Sequence, residues 1–149
     1  MPHVSTTFTR WAALPVRAIA GYGFLAHGLA KLERGPDAFA GVLAALHVPW
    51  PAAAAWLTIA TEIAGGLALM AGAFISWVSI PLAVVMLTAM WTVHRQFGFS
   101  SIKLAAVTAA GPQFGPPGIE TALLYLACLA TLALTGPDPL AWDAITRRT

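Results

Sequence analysis

Five ionisable residues fall inside stretches that are otherwise apolar: Arg17, His27, Glu62, His94 and Glu120. Lys31 and Arg95 stand at the ends of two of those stretches. A charge at the centre of a membrane span costs about 2.5–3.5 kcal/mol on the insertion scale, so each such position calls for a partner or a task. Histidines and carboxylates can exchange protons, and lysine or arginine can offset negative charge. Each residue also has a plain structural reading. Glu120 complements the positive end of a helix, Lys31 and Arg95 anchor spans at an interface, and His94 simply ends a helix.

On a helix, Arg17, Phe24, His27 and Lys31 fall within an arc of about 80°. Gly21 and Gly28 flank that arc, and small residues let a second helix approach closely, so this face is expected to point inward. Glu62 lies one turn from Gly66 and beside Gly65, which is the same signature. Arg17 and Glu62 lie about 14 and 11 residues from the same end of their helices, a difference of about 4–5 Å at 1.5 Å per residue. A buried Arg17–Glu62 ion pair fixing the helix register is therefore expected. The competing reading of Arg17 is a side chain that snorkels to the nearer interface.

Four apolar segments position these residues: 11–30, 52–71, 78–94 and 118–135. About 20 residues at 1.5 Å each cover the roughly 30 Å of hydrocarbon. The expected fold is an all-α integral membrane protein, one domain over residues 1–149, built as a four-transmembrane-helix bundle. Between spans one and two, Gly35-Pro36-Asp37 starts a short helix. Its Phe39, Val42, Leu43 and Leu46 form one apolar stripe, suited to the interface or to folding over the bundle. Span two meets span three through a short uncharged connection, so the two are antiparallel neighbours. In the connection 96–117, residues 102–110 read either as a short helix or as a re-entrant piece. His27, His94, Lys31, Arg95 and Glu120 then emerge at one rim, with Glu62 below them. Residues 1–10 are polar and are expected to be frayed or interfacial.

Composition agrees with a membrane. Of 149 residues, 58% are apolar and 9% charged, against roughly 25% charged in soluble domains, and the mean hydropathy is +0.75. Eight Lys/Arg against six Asp/Glu form no basic patch with interleaved aromatics, which argues against nucleic acid. The single cysteine, Cys128, reads as a small core residue. No HExxH, cysteine cluster or paired carboxylates mark a metal site. Haem between His27 and His94 is disfavoured, because His94 sits at the rim beside a cation. Arg17 interrupts the first apolar run, which lacks a small-x-small cleavage site, so it reads as a retained span. Four spans put both termini on one side, and arginines at 10, 147 and 148 lean that side toward the cytoplasm.

Arg17, His27-Gly28 with Lys31, Glu62 followed by Gly65-Gly66 and Leu69, and Thr92-Val93-His94 with Gly98-Phe99 together resemble the DoxX family of small four-span membrane proteins. The tail 136–143 is similar to that family's Gly-Pro-Gly ending, although Asp138 and Ala141 depart from it. The resemblance covers roughly residues 15–145. It implies membrane-linked redox work, since some members are subunits of a thiosulfate:quinone oxidoreductase and others associate with thiol-handling enzymes. On that reading the chain is a membrane subunit of a quinone-linked oxidoreductase in an inner membrane. Electrons would come from a partner protein, because no flavin, Fe–S or c-type haem motif is present. His27, Lys31, Glu62, His94 and Glu120 would carry the chemistry, with His27, His94 and Arg95 around a quinone head group. The alternatives are a non-enzymatic scaffold or assembly subunit and a small transporter built from oligomers.

Overall fold

The computed structural model describes residues 11–146. The expectations placed on residues 1–10 and on the arginines at 10, 147 and 148 lie outside the described residues. The chain runs as α1 (Ala13–Arg34), α2 (Pro36–Ala45), α3 (Pro51–Ala71), α4 (Ile75–Ala89), β1 (Leu104–Thr108), β2 (Gly111–Phe114), α5 (Glu120–Thr135) and α6 (Trp142–Thr146). Single turns of π-helix (Met90–His94) and 3₁₀-helix (Arg95–Phe97) extend α4.

The long helices α1, α3, α4 and α5 converge on one core of Phe24, Leu69, Ile75, Leu82, Leu129 and Leu132. The helix breaks follow from residue type. Gly35 ends α1 with a positive φ of 95°, and Pro36 then occupies the first turn of α2, where its missing N–H costs nothing. Pro51 starts α3 in the same way. Pro81 lies inside α4, and the hydroxyl of Ser79, two residues before it, donates to the Ile75 carbonyl one turn back. Both α3 and the continuous helical run Ile75–Phe97 are long and apolar enough to cross a membrane. The 22-residue α1 carries Arg17, Lys31, Glu33 and Arg34, and α5 has only 16 residues.

Helices α1 and α3 cross antiparallel at glycines, as expected from the small-residue faces. A Cβ on Gly21 would sit 2.7 Å from the Gly66 carbonyl oxygen, and one on Gly66 would sit 2.6 Å from the Leu25 nitrogen. Neither position admits a side chain without parting the helices. Gly28 in turn lies against Glu62 and Ile63. This crossing sets the register of everything around it.

Two features depart from the sequence expectation. Residues 104–114 form a β-hairpin, neither a helix nor a re-entrant piece. Helical propensity of its alanines gives way to the breakers Gly111 and Pro112 and to an antiparallel pairing closed locally. The third helix also begins earlier than residue 78, at Ile75, because Asp143 receives hydrogen bonds from the Phe74 and Ile75 backbone N–H groups at 2.8 and 3.1 Å. A carboxylate there satisfies orphan donors of the first turn.

Candidate functional site

A cavity of about 1040 Å³ opens among the helices at the end where α1 stops and α5 begins. His27, Lys31 and Arg34 reach it from α1, and Thr58, Thr61 and Glu62 from α3. Thr88 and Thr92 line it from α4 and its π-helical extension, together with His94, and Thr121 and Tyr125 line it from α5. Phe39, Val42 and Leu43 of α2 form an apolar wall, so the stripe of the short helix folds over the bundle. Large apolar walls with a few convergent polar groups are the usual form of a small-molecule site.

Glu62 is the most buried polar group of the cavity at 1% exposure. Its Oε2 accepts a hydrogen bond from the Lys31 ammonium at 2.5 Å. The same ammonium lies 5.5 Å from the centre of the Phe39 ring. The Tyr125 ring meets Phe24 edge-on at 5.0 Å and His27 at 6.1 Å. Gly23 makes room for the phenol, since a Cβ there would strike the Tyr125 hydroxyl. The Thr88 and Thr92 hydroxyls donate back to the Val84 and Thr88 carbonyls, which turns their oxygen lone pairs into acceptors along the wall. His94 sits at the end of the π-helical turn, with Nδ1 2.9 Å from the Pro117 carbonyl oxygen. Single π-turns inside helices recur at functional sites.

The structure thus gathers His27, Lys31, Glu62 and His94 around one space, and it separates Glu120 and Arg95 from it. Glu120 turns toward the connection before α5 and accepts the Ser101 backbone N–H at 2.8 Å. Backbone bonds from Gly118, Ile119 and Glu120 to the carbonyls of Ser100, Gly98 and Phe99 fasten that strap. Arg95 stacks over Trp91 at 4.7 Å, because the π-turn and the 3₁₀ turn rotate it outward.

The expected Arg17–Glu62 pair is not formed. Arg17 donates through Nε to Asp138 Oδ2 at 2.5 Å and through Nη2 to Oδ1 at 3.3 Å, and it also donates to the Met70 carbonyl. The glycine crossing explains the difference. It places Arg17 level with Leu69 and Met70, seven and eight residues beyond Glu62, or about 10–12 Å along the axis. An arginine cannot bridge that gap, whereas Lys31, near the other end of α1, reaches back to Glu62. Arg17 and Asp138 are 3% and 1% exposed, so each carboxylate of the core has its own cation.

Tyr125 and Asp138 escaped the sequence reading. Tyr125 gave a signal, as a phenol in the middle of an apolar span. Asp138 gave only a departure from a tail pattern, 121 positions away from its partner. Among the described residues no group of three His, Cys, Asp or Glu is placed to hold a metal ion.

Apolar helices around a largely apolar cavity, with the buried Arg17 and Glu62 each paired, describe a helical membrane protein. The chain matches the DoxX family over residues 8–95, more than half its length, and it belongs to that family. No curated protein and no solved structure matches it.

Proposed function

We propose that this chain is a membrane subunit of a quinone-linked oxidoreductase, binding the quinone head group in the cavity and receiving electrons from a partner protein. The observation that carries the reading is the cavity itself: about 1040 Å³, apolar over most of its wall, with His27, Tyr125, His94 and the Lys31–Glu62 pair in its lining. A quinone has this profile, an apolar body with oxygens that gain two electrons from the partner and two protons from their surroundings. In this reading the imidazoles and the phenol hydrogen-bond those oxygens, Lys31 offsets negative charge, and Glu62 passes protons. The family's association with membrane oxidoreductase subunits points the same way.

On this reading α1, α3, α4 and α5 are four membrane spans in an inner membrane, with both termini on the cytoplasmic side. Pairing of Arg17 with Asp138 and of Lys31 with Glu62 removes the main objection to α1 as a span, since paired charges are far cheaper to bury. The 16 residues of α5 reach about 24 Å, and a short span is accommodated by local thinning of the bilayer. The test is photolabelling of the purified protein with an azido-quinone. Labels are expected on segments 27–34 and 84–94 and are displaced by excess unlabelled quinone. Labelling elsewhere, or labelling that quinone does not compete, overturns the proposal.

A further inference from the structure

The β-hairpin carries a pattern that the cavity does not use. Leu104 pairs with Phe114, Ala106 with Gln113, Val107 with Pro112 and Thr108 with Gly111, with an irregularity between Leu104 and Ala106. Cross-strand partners share a face and successive residues alternate faces. Leu104, Val107, Pro112 and Phe114 therefore lie on one face, and Ala106, Thr108 and Gln113 on the other. The irregularity creates this sorting. Leu104 and Val107 are three apart and would fall on opposite faces of a regular strand, but one extra residue brings them together.

The apolar face is open: Leu104 is 60%, Val107 74% and Phe114 59% exposed. No charged residue occurs between Lys103 and Glu120. A two-stranded ribbon is at best marginally stable alone in water, so its apolar face needs a covering surface. The neighbouring helix indicates which. Ile80, Val84, Leu87 and Trp91 form one exposed apolar stripe along α4, from 48% to 66% exposed. That stripe ends at the Trp91–Arg95 stack, and tryptophan with arginine at a helix end is the usual anchor at the membrane–water boundary. Along the chain, Phe99 and Ile102, 63% and 76% exposed, lead from that helix end to the hairpin. Lys103, the last cation before the ribbon, is turned back to the Phe97 carbonyl and away from that face.

We propose that the hairpin is a membrane-surface anchor, lying flat at the bilayer boundary with its Leu104–Val107–Phe114 face on lipid and its Thr108–Gln113 face toward water. It does not enter the hydrocarbon, because the outer edges of a two-stranded ribbon keep unpaired N–H and C=O groups that only water satisfies there. The inference stands on the chain's being a membrane protein and is independent of any quinone.

The test is nitroxide scanning by paramagnetic resonance. Cys128→Ala removes the single cysteine, and Leu104→Cys, Ala106→Cys, Val107→Cys and Thr108→Cys are labelled one at a time. The protein is reconstituted in vesicles of phosphatidylcholine with phosphatidylglycerol. Collision rates are measured with oxygen, which concentrates in lipid, and with a water-soluble nickel chelate. Labels at positions 104 and 107 are expected to favour oxygen over nickel several-fold more than labels at 106 and 108. Equal access of nickel to all four overturns the proposal, since the ribbon then projects into water. Shielding of 104 and 107 from both reagents also overturns it, since a protein partner or a second copy then covers the face. All four positions are exposed, so the labels leave the core intact.

Discussion

The Lys31 ammonium and the Glu62 carboxylate meet at 2.5 Å across the α1–α3 crossing, and they are unequally buried: the Lys31 side chain is 24% exposed and that of Glu62 only 2%. The lysine stem reaches toward the cavity mouth while the carboxylate sits beneath it. Removing the lysine therefore strands a charge, whereas removing both groups strands nothing. Lys31→Met is expected to lower the melting temperature of the detergent-solubilised protein substantially, with a loss approaching the roughly 3–5 kcal/mol that follows when one partner of a buried pair is deleted. The double variant Lys31→Met/Glu62→Leu is expected to recover most of that loss. Additive losses in the double variant would show that the two side chains do not act as a pair.

The second ion pair closes the other end of the molecule. Arg17 joins α1 to the tail through Asp138 and to the last turn of α3 through the Met70 carbonyl, and Asp143 ties the same tail to the start of α4. Asp138→Ala leaves a guanidinium buried with carbonyl partners only and is expected to cost about 3 kcal/mol or more. Asp143→Ala removes a cap and is expected to cost about 1 kcal/mol. The two sites share the segment 138–143, so the combined loss should differ from the sum. Chemical denaturation of the three variants measures it.

The helices were legible in the sequence because apolar runs, prolines and glycines report on one neighbourhood at a time. The glycine faces of α1 and α3 were legible for the same reason. Which charge meets which was not, because the register of two helices depends on where their smallest residues cross. A difference of about 10–12 Å along α3 decides whether Arg17 finds Glu62 or Asp138. The hairpin was hidden by alanines that favour a helix, and its pairing depends on a turn whose strength no single residue displays. His27, Lys31, Glu62 and His94, which line the cavity, were legible as candidates because ionisable groups stand out in apolar segments. Tyr125, chemically quieter, was passed over.

Glycine contacts give a prediction with an internal control. Gly66→Ala would place a methyl group 2.6 Å from the Leu25 nitrogen and the Gly21 carbonyl oxygen. Both are backbone atoms that cannot step aside, so the helices must part, at a cost of about 1–3 kcal/mol. Gly41 lies inside α2 with nothing within 4 Å of its would-be Cβ. Gly41→Ala is expected to raise stability by up to about 1 kcal/mol, the difference in helix propensity. Thermal unfolding of the two variants should move in opposite directions.

Tyr125 offers the sharpest separation of packing from chemistry. Its hydroxyl occupies the notch left by Gly23, and its ring meets His27 in the lining of the cavity. Gly23→Ala fills that notch and must push the phenol aside, so both stability and ligand binding should fall. Tyr125→Phe removes only the oxygen. Its melting temperature should change little, while affinity for a quinone analogue should drop by about 2- to 10-fold, the worth of one neutral hydrogen bond. Gly23→Ala/Tyr125→Phe removes the hydroxyl that the new methyl strikes, so it should melt higher than Gly23→Ala alone. It should still bind quinone no better than Tyr125→Phe. Melting curves and equilibrium binding on the four proteins complete the cycle. A Tyr125→Phe variant that binds quinone as tightly as the parent removes the phenol from the proposed site, which then rests on His27, His94 and the Lys31–Glu62 pair.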